Sequence, residues 1–388
     1  MQDALSEQHE LLKATAREFA ARELEPRAAE VDAAETFPEE QFRGLAKLGL
    51  LGLTVPEAYG GAGGGYVDLS AVIEEIAAAC GSTSTVFVTH VSLGTATIAR
   101  FGNEKQLKQW IPQLATGGKI AAFALSEPGS GSDALALTTT ATVDGDAYVL
   151  NGTKTFITNG DVADVFVVFV NSDRSKGHRG INAVVVERNT PGFAINHLTG
   201  KMGMKGSATA ELSFQDCRIP VRNRLGEEGR GYSIALSILS SSRVSIAAQC
   251  VGLARGAYDA AVKYAGERQT FGKRLTEHQA IQFMLADMAT EIDAARLLTH
   301  RAAWLVDNGK PHVTESAMAK LYASEVANRA AHKAVQIHGG SGYFRPGKVE
   351  RIYRDQRVTE IYEGTSEIQR LIIARAIVGD GKGASARN

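Results

Sequence analysis

The most informative stretch of the chain is Thr359-Glu360-Ile361-Tyr362-Glu363-Gly364-Thr365-Ser366-Glu367-Ile368-Gln369-Arg370. We expect Ile361-Tyr362 to run extended and Gly364 to permit a sharp turn. Ser366, followed by Gln369 three residues later, predicts a capping box at the start of a helix. The stretch is therefore expected to pass from extended chain through a turn into a helix.

Glu363 lies at the mouth of this predicted turn, where the backbone cannot easily slide. A catalytic carboxylate needs such a fixed position. A surface glutamate before a helix occupies the same kind of position without any chemistry, since acidic loop residues are common. Local spacing alone leaves both interpretations open.

Composition and charge exclude several classes of function. The chain has 388 residues, 44% of them hydrophobic, a formal net charge of −1 and a pI of about 6.8. A chain so close to neutrality lacks the basic field that nucleic-acid binding requires, so we expect no nucleic-acid partner. The nine histidines include no His-Glu-x-x-His motif and no clustered ligand spacing, so we expect no metal site.

Cysteine usage and hydropathy bear on the compartment. Cys80, Cys217 and Cys250 are far apart and form no Cys-x-x-Cys motif, so we expect buried thiols in a reducing compartment. No apolar run is expected to span a membrane, and Met1–Lys13 lacks a secretory or transit pattern. We therefore expect a cytoplasmic protein, with a processed protein of the mitochondrial matrix as the alternative.

The local texture of the chain changes twice, which predicts three domains. Residues 1–120 are predicted to be helical, 121–230 to form an antiparallel β-domain, and 231–388 to form a helical bundle resembling a four-helix bundle. Because helix, strand and helix follow one another in blocks, a βαβ fold is excluded and the predicted class is α+β. Apolar residues of the first block recur near helical spacing at Leu5, Leu12, Phe19 and Leu24.

Turn signals and apolar patterns give the elements of the second and third blocks. Asn151-Gly152 predicts a hairpin, and Asp144-Gly145 and Thr190-Pro191-Gly192 predict further turns. The Gly/Ser-rich tail Gly379–Asn388 is expected to fray. The predicted strands are Ile120–Leu125, Ala147–Leu150, Thr155–Thr158, Val165–Val170, Ala183–Val186 and Leu212–Phe214. An apolar helical stripe is predicted at Ile281, Leu285, Met288, Ile292 and Ala295.

A second informative stretch is Phe123-Ala124-Leu125-Ser126-Glu127-Pro128-Gly129-Ser130-Gly131-Ser132-Asp133-Ala134. It contains Gly-x-Gly-x-x-Ala, but a dinucleotide fingerprint needs a helix directly after the glycines. Thr138–Val143, which follows, favours a strand instead. What remains is either a plain turn or a loop of small residues whose N–H groups and hydroxyls contact a polar, planar or phosphorylated ligand.

A third stretch, Ser240-Ser241-Ser242-Arg243, precedes an apolar run. We expect it to open a helix that continues over Val244–Lys263, with at least one hydroxyl acting as a cap. A ligand contact at these positions is the alternative interpretation.

Together these stretches resemble the acyl-CoA dehydrogenase family. Tyr362-Glu363-Gly364-Thr365 is similar to the run that carries the family's catalytic base, and Ser126–Ser132 to its flavin-contacting loop. Lys154–Asn159 resembles the family's Lys-x-Trp-Ile-Thr-Asn strand, with Phe156 where tryptophan is usual, and Gln336–Gly340 resembles its Gln-x-x-Gly-Gly turn. The resemblance extends from about Leu5 to Ala376 and is closest to the short-chain, butyryl-type members.

The resemblance implies non-covalently bound FAD and contacts to the acyl-CoA. In the family, Asp-x-x-Arg often contacts the substrate. Arg243 matches this pattern, while Ser240 replaces the aspartate. The residues implied to contact FAD are Phe123, Leu125, Ser126, Gly131, Ser132, Phe156, Ile157, Thr158, Arg268, Phe271, Gln279, Gln336, Ile337, Gly339, Gly340, Thr365 and Glu367. Those implied to contact substrate are Ser132, Ser240, Arg243, Tyr362 and Gly364.

The implied reaction converts a short- to medium-chain acyl-CoA to its trans-2-enoyl-CoA. Glu363 removes the α-proton and the β-hydride passes to flavin N5. Some branched- and long-chain members carry the base at the position of Ser242, where a serine cannot serve. The family also implies a homotetramer, electron-transfer flavoprotein as acceptor, and a role in fatty acid β-oxidation. An oxygen-using acyl-CoA oxidase and a non-catalytic flavin-bearing binding protein are the alternatives.

Overall fold

The computed structural model describes residues 7–379. Leu5 of the predicted N-terminal pattern and residues 380–388 of the predicted frayed tail lie outside the described residues. The first block is helical, as predicted, and Pro26 lies in a short 3-10 turn that separates the first two helices. These helices are α1 Glu7–Phe19, α2 Ala28–Ala34, α3 Glu39–Lys47, α4 Tyr66–Ala79, α5 Gly81–Val88, α6 Ala96–Phe101 and α7 Glu104–Ala115, with π-helical turns at Ala20–Leu24 and Thr89–Thr95.

The second block is a sheet, and its strands are β1 Ala121–Ala124, β2 Thr140–Asp144, β3 Ala147–Thr158, β4 Val165–Asn171, β5 Ile181–Glu187, β6 Phe193–His197, β7 Thr209–Pro220 and β8 Arg224–Leu225. The strand order is β6-β7-β3-β2-β4-β5-β8, and β1 also pairs with β4. The expectation of a wholly antiparallel domain is wrong, because β1 runs parallel to β4 and β2 meets β4 in parallel. β1 is buried on both faces, as is typical of parallel strands.

The predicted hairpin at Asn151-Gly152 is also wrong. Both residues lie within the single strand β3, at a β-bulge against β7. Asn151 and Asp216 exchange hydrogen bonds across these strands, at 3.1 Å and 2.9 Å. Gly152 has φ +143, and an added Cβ would lie 2.7 Å from Thr139. Glycine here therefore allows a close approach of chains, whereas the Asp144-Gly145 turn joins β2 to β3 as predicted.

The third block is helical, as predicted. The apolar stripe predicted from Ile281 to Ala295 is confirmed, since Met288, Ile292 and Ala295 are buried in the core. Its helices are α8 Gly231–Glu267, α9 Gln279–Asp307, α10 Val313–His338, α11 Lys348–Gln356 and α12 Ser366–Val378, and the short strands β9 Gln269–Thr270 and β10 Lys273–Arg274 join α8 to α9.

Helix α8 is the centre of the molecule. It packs against α4, α9 and α10, and a Cβ added at Gly252 would lie 2.4 Å from the Glu74 carbonyl oxygen of α4. The expectation that no apolar run could span a membrane needs correction, because α8 is long and apolar enough by length and composition. Its most apolar window is 83% buried inside the fold, so the apolarity of α8 serves the core.

Candidate active site

The turn that carries Glu363 differs from the extended segment predicted before it. Residues 357–360 form a 3-10 turn, and the N–H groups of Ile361 and Tyr362 both donate to the carbonyl oxygen of Val358, at 2.9 Å and 3.0 Å. These two bonds curl the chain and make an extended Ile361-Tyr362 segment impossible. Glu363 has φ +51 and Gly364 has φ +93. A glutamate in the left-handed region is strained, and such strain is concentrated at functional sites.

The start of α12 also differs from the predicted capping box. Thr365 is the capping residue, and its Oγ1 accepts from the Ile368 N–H at 3.3 Å. Ser366 is the first helical residue instead, and its buried hydroxyl has no partner within residues 7–379. Gln369 does not close a capping box. Its Nε2 turns back and donates to the carbonyl oxygens of Gly364 at 2.9 Å and Glu363 at 3.3 Å.

The environment of Glu363 favours a base that works near neutral pH. Ser242 on α8 donates a hydrogen bond to Glu363 Oε2. Burial raises the pKa of Glu363 to about 7, although Ser242, Lys320 and Arg243 each pull this pKa down. A carboxylate in such surroundings exchanges a proton near neutrality, which is what general-base catalysis requires.

Ser240–Arg243 does not open a helix, contrary to the prediction. Because α8 begins at Gly231, these residues lie well inside it. Ser241 Oγ donates to the Ile238 carbonyl oxygen at 3.1 Å, one turn back. Arg243 is 5% exposed, and no salt bridge to it occurs within the described residues. A buried guanidinium with free donors on the same helix as Ser242 suits an acidic or carbonyl-bearing ligand.

Tyr362 is fixed on the other side of the turn by a hydrogen-bonded chain. Its hydroxyl donates to Gln249 Oε1 at 2.5 Å, and Gln249 Nε2 donates to Thr85 Oγ1 at 2.8 Å. A further hydrogen bond joins the hydroxyl groups of Ser92 and Ser245 at 2.8 Å. These bonds connect the Glu363 turn, α8 and the buried segment Gly81–Thr95, so one wall of the site is a helix face rather than a loop.

The predicted flavin loop is held by an ion pair that sequence reasoning missed. Lys154 Nζ lies 2.7 Å from Glu127 Oε1, with the two side chains 0% and 2% exposed. Burial alone would raise the pKa of Glu127. The charge of Lys154, with hydrogen bonds from Lys154, Thr138 and Thr139, holds the pKa of Glu127 well below its usual range. The Thr155 N–H also donates to the Ser126 carbonyl oxygen at 2.9 Å, so Ser126–Ser132 is held against β3.

The surface beside this loop fits a planar ligand with polar edges. Phe156 is 73% exposed although it lies within β3, and its φ is +57. Ser132 and Gly131 are exposed on the neighbouring loop, and a Cβ added at Gly131 would meet nothing within 4 Å. An aromatic face beside open hydroxyls and backbone is suitable for a flavin ring. Phe123 and Ile157 are buried beneath, and Leu125 and Thr158 are partly buried.

The remaining predicted cofactor residues form a second, distant group. Of the predicted Gln336–Gly340 turn, residues 336–338 end α10 and the two glycines begin the 3-10 turn that follows. His338 stacks on Tyr264 at 4.3 Å, and the Arg268 N–H donates to the Tyr264 carbonyl oxygen at 2.8 Å. Tyr264 and Ser242 lie about six turns apart on α8, roughly 33 Å. The chain therefore does not bring this group to its own Glu363.

The second group presents donors and an aromatic ring to the outside. Phe271 is 97% exposed with φ +52, and Arg268, Gln279 and Gln336 are exposed. Within residues 7–379, the Arg268 guanidinium forms no salt bridge. Free guanidinium donors are suited to a pyrophosphate. Both groups therefore fit parts of FAD.

Three contributors to the site escaped the sequence interpretation: Lys320, Gln249 and the Glu127–Lys154 pair. Lys320 had a detectable signal, because it lies on the alanine-rich buried face of α10, where the apolar period predicts no charge. The others had none, since their partners are far away in the sequence.

Comparison with known proteins identifies the family of the chain. Three domain families match successive parts of the chain. They are "Acyl-CoA dehydrogenase, N-terminal domain" over residues 6–118, "Acyl-CoA dehydrogenase, middle domain" over 122–217 and "Acyl-CoA dehydrogenase, C-terminal domain" over 229–378. The chain is 51% identical over 370 residues to the mitochondrial short-chain specific acyl-CoA dehydrogenase of Mus musculus, which covers 95% of this chain and 90% of the relative. It is 46% identical over 380 residues to acryloyl-CoA reductase (NADH) of Anaerotignum propionicum, covering 97% and 96%.

The fold comparison gives the same answer. Butyryl-CoA dehydrogenase from Megasphaera elsdenii superposes with a TM-score of 0.95 at 40% identity, over 97% of this chain and 100% of that one. Members of the matched family are FAD-dependent oxidoreductases that act on CH–CH groups of acyl-CoA, and the similarity is to its short-chain type. The chain belongs to the acyl-CoA dehydrogenase family.

Proposed function

We propose that Glu363 removes the α-proton of a short-chain acyl-CoA as it is converted to the trans-2-enoyl-CoA. The observation that carries this proposal is a partly enclosed carboxylate whose pKa burial raises to about 7, beside Ser242 and the buried Arg243. Ser242 cannot replace it as a base. Flavin reduction by butyryl-CoA in the wild type and a Glu363→Gln variant tests the proposal.

The backbone of the same residue can stabilise the charge that develops on the thioester oxygen. The Glu363 N–H has no acceptor within residues 7–379, so it is free to donate to a ligand. One such donor, preorganised in a dry site, contributes on the order of 3 kcal/mol to transition-state stabilisation. The strained φ of Glu363 thus serves two ends, since it aims both the carboxylate and the N–H.

FAD, when bound, supplies the hydride acceptor for the β-carbon. We propose that the ring end is held by Ser126, Gly131, Ser132 and Phe156 with its neighbours. Thr365 and Glu367 would approach it from the N-terminal end of α12. The second group lies about six helical turns away and would bind cofactor on a neighbouring copy of the chain. Its members are Arg268, Phe271, Gln279 and the stretch Gln336–Gly340. This separation supports an oligomer, because a single copy provides only part of each cofactor site, and the oligomer that we propose is a homotetramer.

The electron acceptor is proposed to be electron-transfer flavoprotein. The Anaerotignum relative, named as an NADH-dependent acryloyl-CoA reductase, makes the reverse direction a second candidate, and an oxygen-using oxidase a third. Slow reoxidation of the reduced enzyme in air, with fast reoxidation by electron-transfer flavoprotein, supports the first. Fast reoxidation by oxygen, or reduction of an enoyl-CoA with NADH, supports the respective rival.

We also propose domain limits of 1–120, 121–230 and 231–388. They are supported by the change from helix to strand between Ala115 and Ala121 and from strand to helix between Leu225 and Gly231. A cytoplasmic location is proposed, with the mitochondrial matrix as the alternative, and three buried free cysteines support a reducing compartment in either case.

The proposal predicts a pH dependence of flavin reduction. The active form of a base is deprotonated, so with a Glu363 pKa of about 7 the second-order rate constant for reduction should rise about tenfold per pH unit below neutrality and level off above it. Anaerobic stopped-flow mixing with subsaturating butyryl-CoA, over a range of about pH 5.5–9, measures this profile. A rate constant that is flat from acid to neutral pH contradicts the assignment.

The proposal also predicts a preference for uncharged acyl chains. The buried segment Cys80–Ala99 contains no lysine or arginine, and it packs on α8 beside the Glu363 turn through Ser92 and Thr85. The carboxylate of glutaryl-CoA would find no partner in this segment, and burying it costs several kcal/mol. We expect a higher kcat/KM for butyryl-CoA than for glutaryl-CoA. The reverse order in a steady-state comparison contradicts this.

A further inference from the structure

Behind the Glu363 turn lies a lysine that the proposed reaction does not use. Lys320, on α10, is 0% exposed. Its Nζ donates to the carbonyl oxygen of Gly364, the residue directly after Glu363, at 2.8 Å. This is its only hydrogen bond within residues 7–379, and it forms no salt bridge there. A buried ammonium with one neutral acceptor is costly to the fold, so its place needs a compensating role.

The charged and titratable groups around Lys320 leave Glu363 as the carboxylate that its charge can stabilise. Burial raises the pKa of the Cys250 thiol of α8 to about 12, so that group is neutral. Glu360 is paired with Arg357 at 3.0 Å and accepts from Asn328 at 2.8 Å. Arg243 faces the same region with like charge. The Lys320 charge also helps to lower the pKa of Glu367, but that side chain is exposed to solvent. Glu363 is the remaining carboxylate, and it has no salt bridge within the described residues.

We infer that Lys320 is a positioning residue for Glu363, which fixes the strained turn through the Gly364 carbonyl and favours the ionised carboxylate through its charge. The inference rests on the proposed function of Glu363. The two residues influence each other: the Lys320 ammonium pulls the pKa of Glu363 down from where burial alone would put it. Burial lowers the pKa of Lys320 to about 8, and the Glu363 charge pulls it up.

Gln369 provides a matched control because it binds the same carbonyl without a charge. Its Nε2 lies 2.9 Å from the Gly364 oxygen, and its side chain is 0% exposed. Replacing Gln369 by leucine removes a hydrogen-bond donor to this carbonyl oxygen but no charge. Replacing Lys320 by glutamine removes the charge but keeps a donor, and replacing it by methionine removes both.

The experiment is an infrared pH titration of the carboxyl stretch of oxidised holoenzyme, with the Glu363 band assigned by its loss in Glu363→Gln. We expect the Lys320→Gln and Lys320→Met variants to shift the Glu363 midpoint upward by about one pH unit, the size of a nearby opposite charge. Gln369→Leu should leave the midpoint within about a third of that shift. A midpoint that Lys320→Gln leaves unchanged, or that Gln369→Leu raises equally, overturns the inference.

A reciprocal measurement covers the case in which the Lys320 variants fail to fold. Coupling between two sites acts equally in both directions, so Glu363→Gln must lower the pKa of Lys320. Carbon-13 NMR of labelled lysine, with the Lys320 signal assigned by difference, should show this decrease, and an unchanged midpoint overturns the inference. Failure of the proposed function is distinguishable, because it appears as normal flavin reduction in Glu363→Gln whatever the titrations show.

Discussion

Replacing Glu363 with glutamine should reduce the rate of flavin reduction by butyryl-CoA by at least about 10²–10⁴-fold, the contribution that general-base catalysis typically makes. Glutamine keeps the size of the side chain and can still bond to Ser242, but it has no basic oxygen. No other carboxylate contacts Ser242 within residues 7–379, so rescue by a neighbour is not expected. Anaerobic stopped-flow absorbance of the flavin measures the rate.

The fold and the binding sites should survive this substitution. The bonds that hold the turn come from Lys320 and Gln369 to backbone carbonyl oxygens, and Tyr362 is held by Gln249, so none of them involves the Glu363 carboxylate. FAD content and the spectral change on binding acyl-CoA should therefore stay normal. Glu360→Gln removes a carboxylate at the other end of the same turn. It should leave reduction within about twofold of the wild type, because the partners of Glu360 are Arg357 and Asn328 rather than Ser242 and a partly exposed ion pair contributes little. Loss of activity only through lost FAD would refute the assignment.

Replacing Lys154 with methionine should destabilise the protein by about 3–5 kcal/mol, the cost of removing one partner of a buried ion pair. Glu127 would keep its hydrogen bonds from Thr138 and Thr139 but would lose its counter-charge inside the core. Because Glu127 belongs to the loop that carries Ser126 and Ser132, FAD affinity should fall as well. Urea unfolding and equilibrium FAD binding measure the two effects.

The matched control for this change is Lys176→Met. Lys176 pairs with Asp173 at 3.2 Å, with the two side chains 58% and 38% exposed, and exposed pairs are screened by solvent. Its loss should not measurably alter stability or FAD affinity. The double variant Glu127→Gln, Lys154→Met removes the uncompensated charge and should recover part of the loss. Equal, small effects of Lys154→Met and Lys176→Met would contradict the buried-pair account.

The sequence predicts the blocks of this fold well because each block has its own periodicity. The stripe on α9 and the turns at Gly145 and Gly192 are local signals, and the structure contains them. The hairpin prediction at Asn151-Gly152 failed because Asn-Gly is typical of both hairpins and bulges. The choice between them depended on Asp216, which pairs with Asn151 from another strand. The alternation of side chains along a strand does not show its direction relative to its neighbour, so the parallel pairing of β1 with β4 could not be predicted either.

At the site, motifs locate residues but do not reveal how they are supported. Ser240–Arg243 suggests a helix start, yet α8 begins at Gly231 because an apolar helix in the core can run through serines whose hydroxyls bond back one turn. Thr365 and Ser366 are both good caps by type, and only the geometry selects Thr365. The Glu127–Lys154 pair and the Lys320 contact join residues 27 and 44 positions apart, which no local pattern encodes.

The measurement that tests the central claim most directly is the exchange of the α-proton. Holoenzyme is incubated anaerobically with butyryl-CoA in deuterium oxide, and incorporation of deuterium at C2 is followed by mass spectrometry. If Glu363 is the base, the wild type incorporates deuterium and Glu363→Gln does so at least about 100-fold more slowly, with FAD and acyl-CoA bound normally. Incorporation by Glu363→Gln at the wild-type rate would show that another group removes the proton.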